Sequence, residues 1–264
     1  MSGGGLCVLA AEHIDGSGRA PRDESVVVET PVALLYNGDP FAVMMATPCD
    51  LADFALGFAL AEGVVASADE LALVDMVPGE HGVALHCAIP QARFDALGER
   101  RRNLEGRSGC GLCGTESLQA AVRAIAPVGN AVRDWMRREL LDALERLDRA
   151  QPLNAASGGV HAAGLLHAGG LLVREDVGRH NAVDKAIGAA LGTGVDAAGC
   201  ALLVTSRASF EIVQKAASVG IGTVVAISAP TSLAVQRANA LGIALAAFAR
   251  RDGMNLYSHA ARVR

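Results

Sequence analysis

From about residue 155 onward, short apolar runs alternate with helix-patterned segments, and this alternation constrains the fold more than any other feature of the chain. Residues 160–166 and 170–174 read as paired strands. Residues 181–191 read as a helix, 201–205 as a strand, 208–219 as a helix and 223–228 as a strand. Residues 231–241 follow as a helix, 243–249 as a strand and 254–258 as a last edge strand. Strands that are apolar on both sides must be covered on both faces, so the series predicts an α/β unit with a largely parallel sheet between helical layers. Aromatic residues are only 3% of the chain, so the core must be built from Ala, Val, Leu and Ile. The uncharged stretch 216–236 has the length of a membrane span but is punctuated by Gly220, Gly222 and Pro230, which fits helix, strand and helix better.

The first half is patterned differently. Residues 1–24 are Gly-rich and charged and are expected to be a flexible leader. Residues 25–29 and 32–36 read as strands, Asn37-Gly38-Asp39-Pro40 as a turn and 41–46 as the returning strand. Thr47-Pro48-Cys49-Asp50 has the form of a helix start, with a capping Thr and Pro at the first position, before the apolar spacing of Leu51, Phe54, Ala55 and Phe58. Two short strands are expected within 71–90, an arginine-rich connector at 99–107, a helix over 115–126 and an amphipathic helix over 132–148. The expected division is therefore a leader at 1–24, a β-rich part with one helix at 25–108, and an α/β domain at 109–264.

The net charge of −5 and the scarcity of aromatics argue against a nucleic-acid surface. The only early apolar run, 6–11, has no basic region before it, so no secretory signal and no membrane span is expected. The six cysteines then read as reduced thiols of a cytoplasmic protein.

The densest chemical signal is Cys110-Gly111-Leu112-Cys113, flanked by Gly109 and Gly114, with Arg107 upstream and a predicted helix downstream. A thiol at a helix N-terminus and near a cation has a lowered pKa, and the thiolate is the reactive form. The pattern suits redox or sulfur-handling chemistry. Half of a zinc site is the competing reading, but the chain holds no second Cys-x-x-Cys pair. Arg174-Glu175-Asp176-Val177-Gly178-Arg179-His180-Asn181 gathers two acids, two arginines and a histidine at a strand-to-helix junction. Three later junctions carry Ser206-Arg207, Ser228-Ala229-Pro230-Thr231, and the segment Phe248, Ala249, Arg250, Arg251, Asp252 and Gly253. In a parallel sheet such junctions share the carboxyl edge, where helix N-termini and arginines favour a phosphate-bearing ligand. For any one loop N-capping alone is the better account of the hydroxyls; three such loops together, two with arginine, favour the ligand. His161, after Ser157-Gly158-Gly159-Val160, is a candidate proton carrier or a structural histidine.

Taken together these blocks resemble the formate dehydrogenase accessory sulfurtransferases, the FdhD family. The likeness includes Tyr36-Asn37-Gly38, Met44-Met45-Ala46-Thr47-Pro48, Asp53-Phe54-Ala55-Leu56-Gly57-Phe58, the cysteine motif, 157–163, 175–181, 206–209 and 228–231. The resemblance implies a cytidine-deaminase-like three-layer α/β/α sandwich, usually a homodimer. It implies a carrier that takes sulfur from a cysteine desulfurase and passes it to the molybdenum cofactor, in its bis-guanine-dinucleotide form, for formate dehydrogenase. Cys110 would carry the persulfide with Cys113 as its partner. Residues 248–253 would bind the cofactor together with Ser206, Arg207, Ser228, Arg179 and His180, with GDP as a surrogate ligand and no resident metal. Deaminase chemistry is not implied, because no His-x-Glu occurs and Gly109 rather than Pro precedes Cys110. Two other functions fit the same residues: a thiol-disulfide oxidoreductase, and a chaperone that binds the cofactor without moving sulfur.

Overall fold

The structure is a computed structural model that describes residues 4–102, 125–129 and 131–264. The late sheet contains β7 (His161–His167), β8 (Gly170–Asp176), β9 (Ala201–Val204), β10 (Thr223–Ala226), β11 (Ala244–Arg250) and β12 (Gly253–Ser258), in the order β12-β11-β10-β9-β7-β8. Only β9, β10 and β11 pair parallel; β12 lies antiparallel to β11, and β7 antiparallel to β8 and β9. The largely parallel sheet expected from the alternation is thus parallel only at its centre. The links Ala168-Gly169 and Arg251-Asp252 are two residues long, far too short for a crossover, and they impose hairpins.

Alternate residues of this sheet face opposite layers. Leu202, Val204, Val224 and Leu245 join a core with α5 (Arg179–Leu191), α6 (Phe210–Ser218) and α7 (Ser232–Leu241). Ala201, Leu203, Val225 and Ala246 join Leu140, Ala143, Leu144 and Leu147 of α3 (Arg137–Arg149). This is a three-layer α/β/α arrangement. No described helix is long and apolar enough to cross a membrane, and the uncharged stretch 216–236 runs through the end of α6, β10 and the first half of α7.

The N-terminal part contributes a four-stranded sheet, β4-β3-β6-β5, from β3 (Thr30–Tyr36), β4 (Asp39–Ala46), β5 (Ala72–Gly79) and β6 (Gly82–Ala88). Asn37 and Gly38 both take positive φ in the two-residue link between β3 and β4, as the sequence predicts. The Asn37 amide also exchanges two hydrogen bonds with the Ile89 backbone. Between the two sheets lies α1 (Leu51–Ala61), which crosses α5 with the backbones in contact. A β-carbon at Gly57 would stand 1.7 Å from the Asp184 carbonyl oxygen, and one at Gly188 would stand 1.9 Å from that of Asp53. Only glycine fits both positions.

Several local expectations are corrected. Within the expected flexible leader, β1 (Leu6–Asp15) and β2 (Gly18–Val27) form a fully registered hairpin. Its turn is held by the Ser17 N–H and hydroxyl, both donating to the Asp15 carboxylate. Composition does not disclose such a ladder, because it is made by pairing rather than burial. The strand expected at 25–29 is the end of β2. The connector expected from residue 99 lies in and beyond α2 (Gln91–Arg102), a helix that starts after Pro90 and packs Phe94 and Leu97 into the core. The helix expected from 132 starts at Arg137, because Trp135 is drawn into a backbone pairing with Arg262 and Arg264. Most of the helix expected over 115–126 lies outside the described residues.

We expect Gly57→Ala and Gly188→Ala each to lower stability by on the order of 3 kcal/mol, because a backbone carbonyl cannot move aside as a side chain can. Urea midpoints with unchanged slopes would check this.

Candidate functional site

The motif at residues 175–181 is organised by a buried ion pair. Lys185 Nζ lies 2.6 Å from Asp176 Oδ2, and both side chains have zero exposure. The same carboxylate accepts from the Thr47 N–H at 3.0 Å, the Gly178 N–H at 2.7 Å and the Asn181 amide at 3.0 Å. Lys185 also donates to the Thr47 carbonyl at 2.9 Å. Thr47 is therefore not the cap of α1, as its sequence setting suggests. Its hydroxyl accepts from the Val177 N–H at 3.1 Å, and α1 instead begins after Asp50, whose φ is 51°. Glu175 is equally structural: its carboxylate accepts from the Leu153 and Asn154 N–H groups at the start of α4 (Pro152–Ser157).

The two acids are thus used up inside the fold, and the outward groups of the motif are Arg179 and His180. His180 Nε2 lies 3.0 Å from Glu211 Oε2 in the first turn of α6. That contact chiefly holds the Glu211 carboxyl down at about 2. His161 is pushed below the ordinary imidazole value, first by burial and then by the charges of Arg179 and His180. His161, Arg179, His180 and Glu211 therefore form one cluster beside the N-termini of α5 and α6.

The carboxyl ends of the parallel strands are tied to one another. The Ala208 N–H donates to the Ala229 carbonyl, the Thr231 N–H to the Ala208 carbonyl, and the Phe248 N–H to the Ser228 carbonyl. Thr231 caps α7 through the Ala234 N–H. Ser206 is buried and donates to the Arg207 carbonyl at 3.1 Å, while the Arg207 side chain is exposed. Phe248 is not in a loop after the strand. It lies within β11 at a φ of 53°, where the pairing with β12 slips, and the residue is 45% exposed. Arg251 and Asp252 form the turn that follows.

Beside this turn is an open groove of about 680 Å³. One wall is Ala249, Arg250, Arg251 and Asp252; the other is formed by α3, with Leu141, Leu144, Glu145, Asp148 and Arg149; Ile227 also lines it. Among the described residues, Arg250 and Arg251 have no carboxylate within ion-pair distance. The expected binding residues are therefore divided between the two sides of the sheet: 249–252 at the α3 face, Arg179 and His180 at the α5–α6 face. The α3 wall is the part that reading the sequence misses. Its charges look like the solvated side of an amphipathic helix, and only the tertiary fold brings β11 up to them.

Cys110 and Cys113 lie outside the described residues. Of the other thiols, burial pushes Cys87 and Cys200 up to about 11, and burial also raises Cys49, whose sulfur is 3.8 Å from Lys185 Nζ. These three serve packing, as their apolar contexts suggest; Cys7 is exposed on β1.

The fold of this chain is that of a known class. A crystal structure of a chain described as a formate dehydrogenase accessory protein, from Desulfotalea psychrophila, superposes with a TM-score of 0.75 at 25% identity, covering 98% of this chain and 99% of that one. The profile of the FdhD/NarQ family matches residues 27–264, and the chain belongs to that family. It is 49% identical over 261 residues to the "Sulfur carrier protein FdhD" of Xanthomonas axonopodis pv. citri, covering 98% of this chain and 92% of the relative. It is 47% identical over 242 residues to the protein of the same name from Cupriavidus necator, covering 91% and 84%.

Two outcomes are expected from the site's electrostatics. Lys185→Met leaves the Asp176 charge buried without its counter-ion, and thermal or urea unfolding should show a loss of about 3–5 kcal/mol. The Glu211 carboxyl is held down in the folded state, so its contribution is present above its ordinary value of 4.5 and is lost as pH falls towards about 2. The stability gap between wild type and Glu211→Gln should therefore close across that window, as read from urea midpoints at successive pH values.

Proposed function

We propose that the chain is a sulfur carrier and sulfurtransferase of formate dehydrogenase maturation, acting in the cytoplasm as a homodimer. The observation that carries this reading is the family match, which spans both the Cys110-x-x-Cys113 pair and the arginine-lined groove. Cys110 accepts sulfur from a cysteine desulfurase: its thiolate attacks the outer sulfur of the donor's persulfide, the S–S bond breaks, and the donor leaves as a thiolate. Cys110 then bears the –S–SH group. Attack by the Cys113 thiolate on the Cys110 sulfur forms a Cys110–Cys113 disulfide and releases hydrosulfide to the cofactor. The disulfide takes two electrons from an external dithiol before the next round. The raised Cys87 and Cys200 thiols support this assignment, since neither is a competent thiolate near neutral pH.

The molybdenum cofactor in its bis-guanine-dinucleotide form is the substrate that receives the sulfur. The groove suits part of it: Arg250 and Arg251, without an ion pair among the described residues, beside an apolar strip match phosphates attached to a flat base. Ser206, Arg207 and Ser228 at the carboxyl ends of the strands, and Arg179 and His180 on the α5–α6 face, would hold other parts of the cofactor outside the groove.

Intact-protein mass spectrometry after incubation with a desulfurase and cysteine should show one added sulfur on the wild type and none on Cys110→Ala. Undiminished gain by Cys110→Ala removes that cysteine from the role. Calorimetry should show GDP binding that weakens by about tenfold or more in Arg250→Ala and Arg251→Ala, the loss expected of a charge-assisted phosphate contact.

A further inference from the structure

The α3 wall of the groove carries a carboxylate where an anion site has no use for one. Asp148 is exposed, has no ion pair among the described residues, and lies in the last turn of α3. Partial negative charge accumulates at that end of a helix, so an acid there is disfavoured. Arg250 and Arg251 stand on the opposite wall of the same groove, where a phosphate would be drawn towards the carboxylate's own repulsion. The other acid that α3 brings to the groove, Glu145, is engaged by Arg149 at 3.3 Å. Asp252 also lines the groove but lies on the arginine wall itself, next to Arg251, so Asp148 is the carboxylate left on the facing wall to meet a ligand, and that ligand must bring its own hydrogen-bond donors.

We propose that Asp148 reads the base of the bound nucleotide and makes the groove select guanine. An ionised carboxylate offers two acceptor oxygens and no donor. The guanine edge presents two adjacent donors, the ring N1–H and the exocyclic N2 amino group, which match those oxygens side by side. Adenine presents an acceptor at N1 and has no 2-amino group, so the same carboxylate faces a lone pair. Leu141 and Ile227 supply an apolar surface for the purine. The diphosphate extends to Arg250 and Arg251 across the groove. A volume of about 680 Å³ lies within the range of small-molecule sites and holds a nucleoside diphosphate.

This assignment rests on the groove being the nucleotide site, and the experiment separates the two. Binding of GDP, IDP and ADP is measured by calorimetry on the full chain, on Asp148→Asn, and on Asp142→Asn. Asp142 is also exposed on α3 but pairs with Arg138 and does not line the groove. Wild type and Asp142→Asn should bind GDP at least about tenfold tighter than ADP, the discrimination of one bidentate base contact. IDP, which lacks the 2-amino group, should fall between. In Asp148→Asn the preference should shrink to within about threefold, with ADP binding little changed. A preference that survives in Asp148→Asn, with its melting curve intact, overturns the base-reading role and leaves the groove as a nucleotide site. Equal binding of GDP and ADP by the wild type also overturns it. No binding of any of the three nucleotides overturns both the base-reading role and the nucleotide assignment of the groove, and leaves sulfur loading on Cys110 to stand or fall on its own measurement.

Discussion

The contact on which the rest depends is the salt bridge between Lys185 and Asp176, sealed from water on both sides. Burying two charges costs several kcal/mol each unless geometry and further hydrogen bonds offset the loss. Here they do: the carboxylate receives four donors and the ammonium reaches two backbone carbonyls besides its partner. Two of those partners belong to Thr47, at the end of the N-terminal sheet, while the ion pair itself belongs to β8 and α5. The pair therefore joins the two sheets at one point. It also sets the start of α5, and with it the positions of Arg179 and His180.

A second buried charge cluster works the same seam from the other end of α1. Lys215 of α6 lies 2.9 Å from Asp184 of α5 and 2.8 Å from Glu62, just after α1. Burial pushes the Asp184 carboxyl up to about 6 even with this cation beside it. Three helices are thus fixed in rotation by one ammonium group, and the glycine contact between α1 and α5 leaves them no room to slide. A core so poor in aromatics gains its specificity from such polar ties and close backbone approaches more than from large interlocking rings.

What could be read from the chain was what depends on local period and local turn chemistry. The late strands and helices, the Asn37-Gly38 turn and the clustering of loops at one sheet edge all follow from residues near one another in sequence. What could not be read depends on partners far away. Thr47 has every mark of a helix cap, yet a carboxylate 129 positions later claims its N–H. Trp135 continues the spacing of α3, yet Arg262 and Arg264 pull it out of the helix. Glu175 and Asp176 look like site residues because they are acids at a junction, but both are consumed in holding that junction together. The α3 wall became visible only when the fold set it against Arg250.

The β1–β2 hairpin has a mechanical consequence. Ten residues per strand make an arm of about 34 Å. Almost every residue along it is exposed, and it meets the body at its base, where Gly5 rests on Thr47 and Leu153. Thr47 is also the residue gripped by Lys185 and Asp176, and Leu153 is bound through its N–H by Glu175. The arm is thus a lever whose fulcrum is the buried ion pair's own turn. A tilt of about 10° at that fulcrum carries the tip through about 6 Å, so a load on the tip bears on the same residues that position Arg179 and His180.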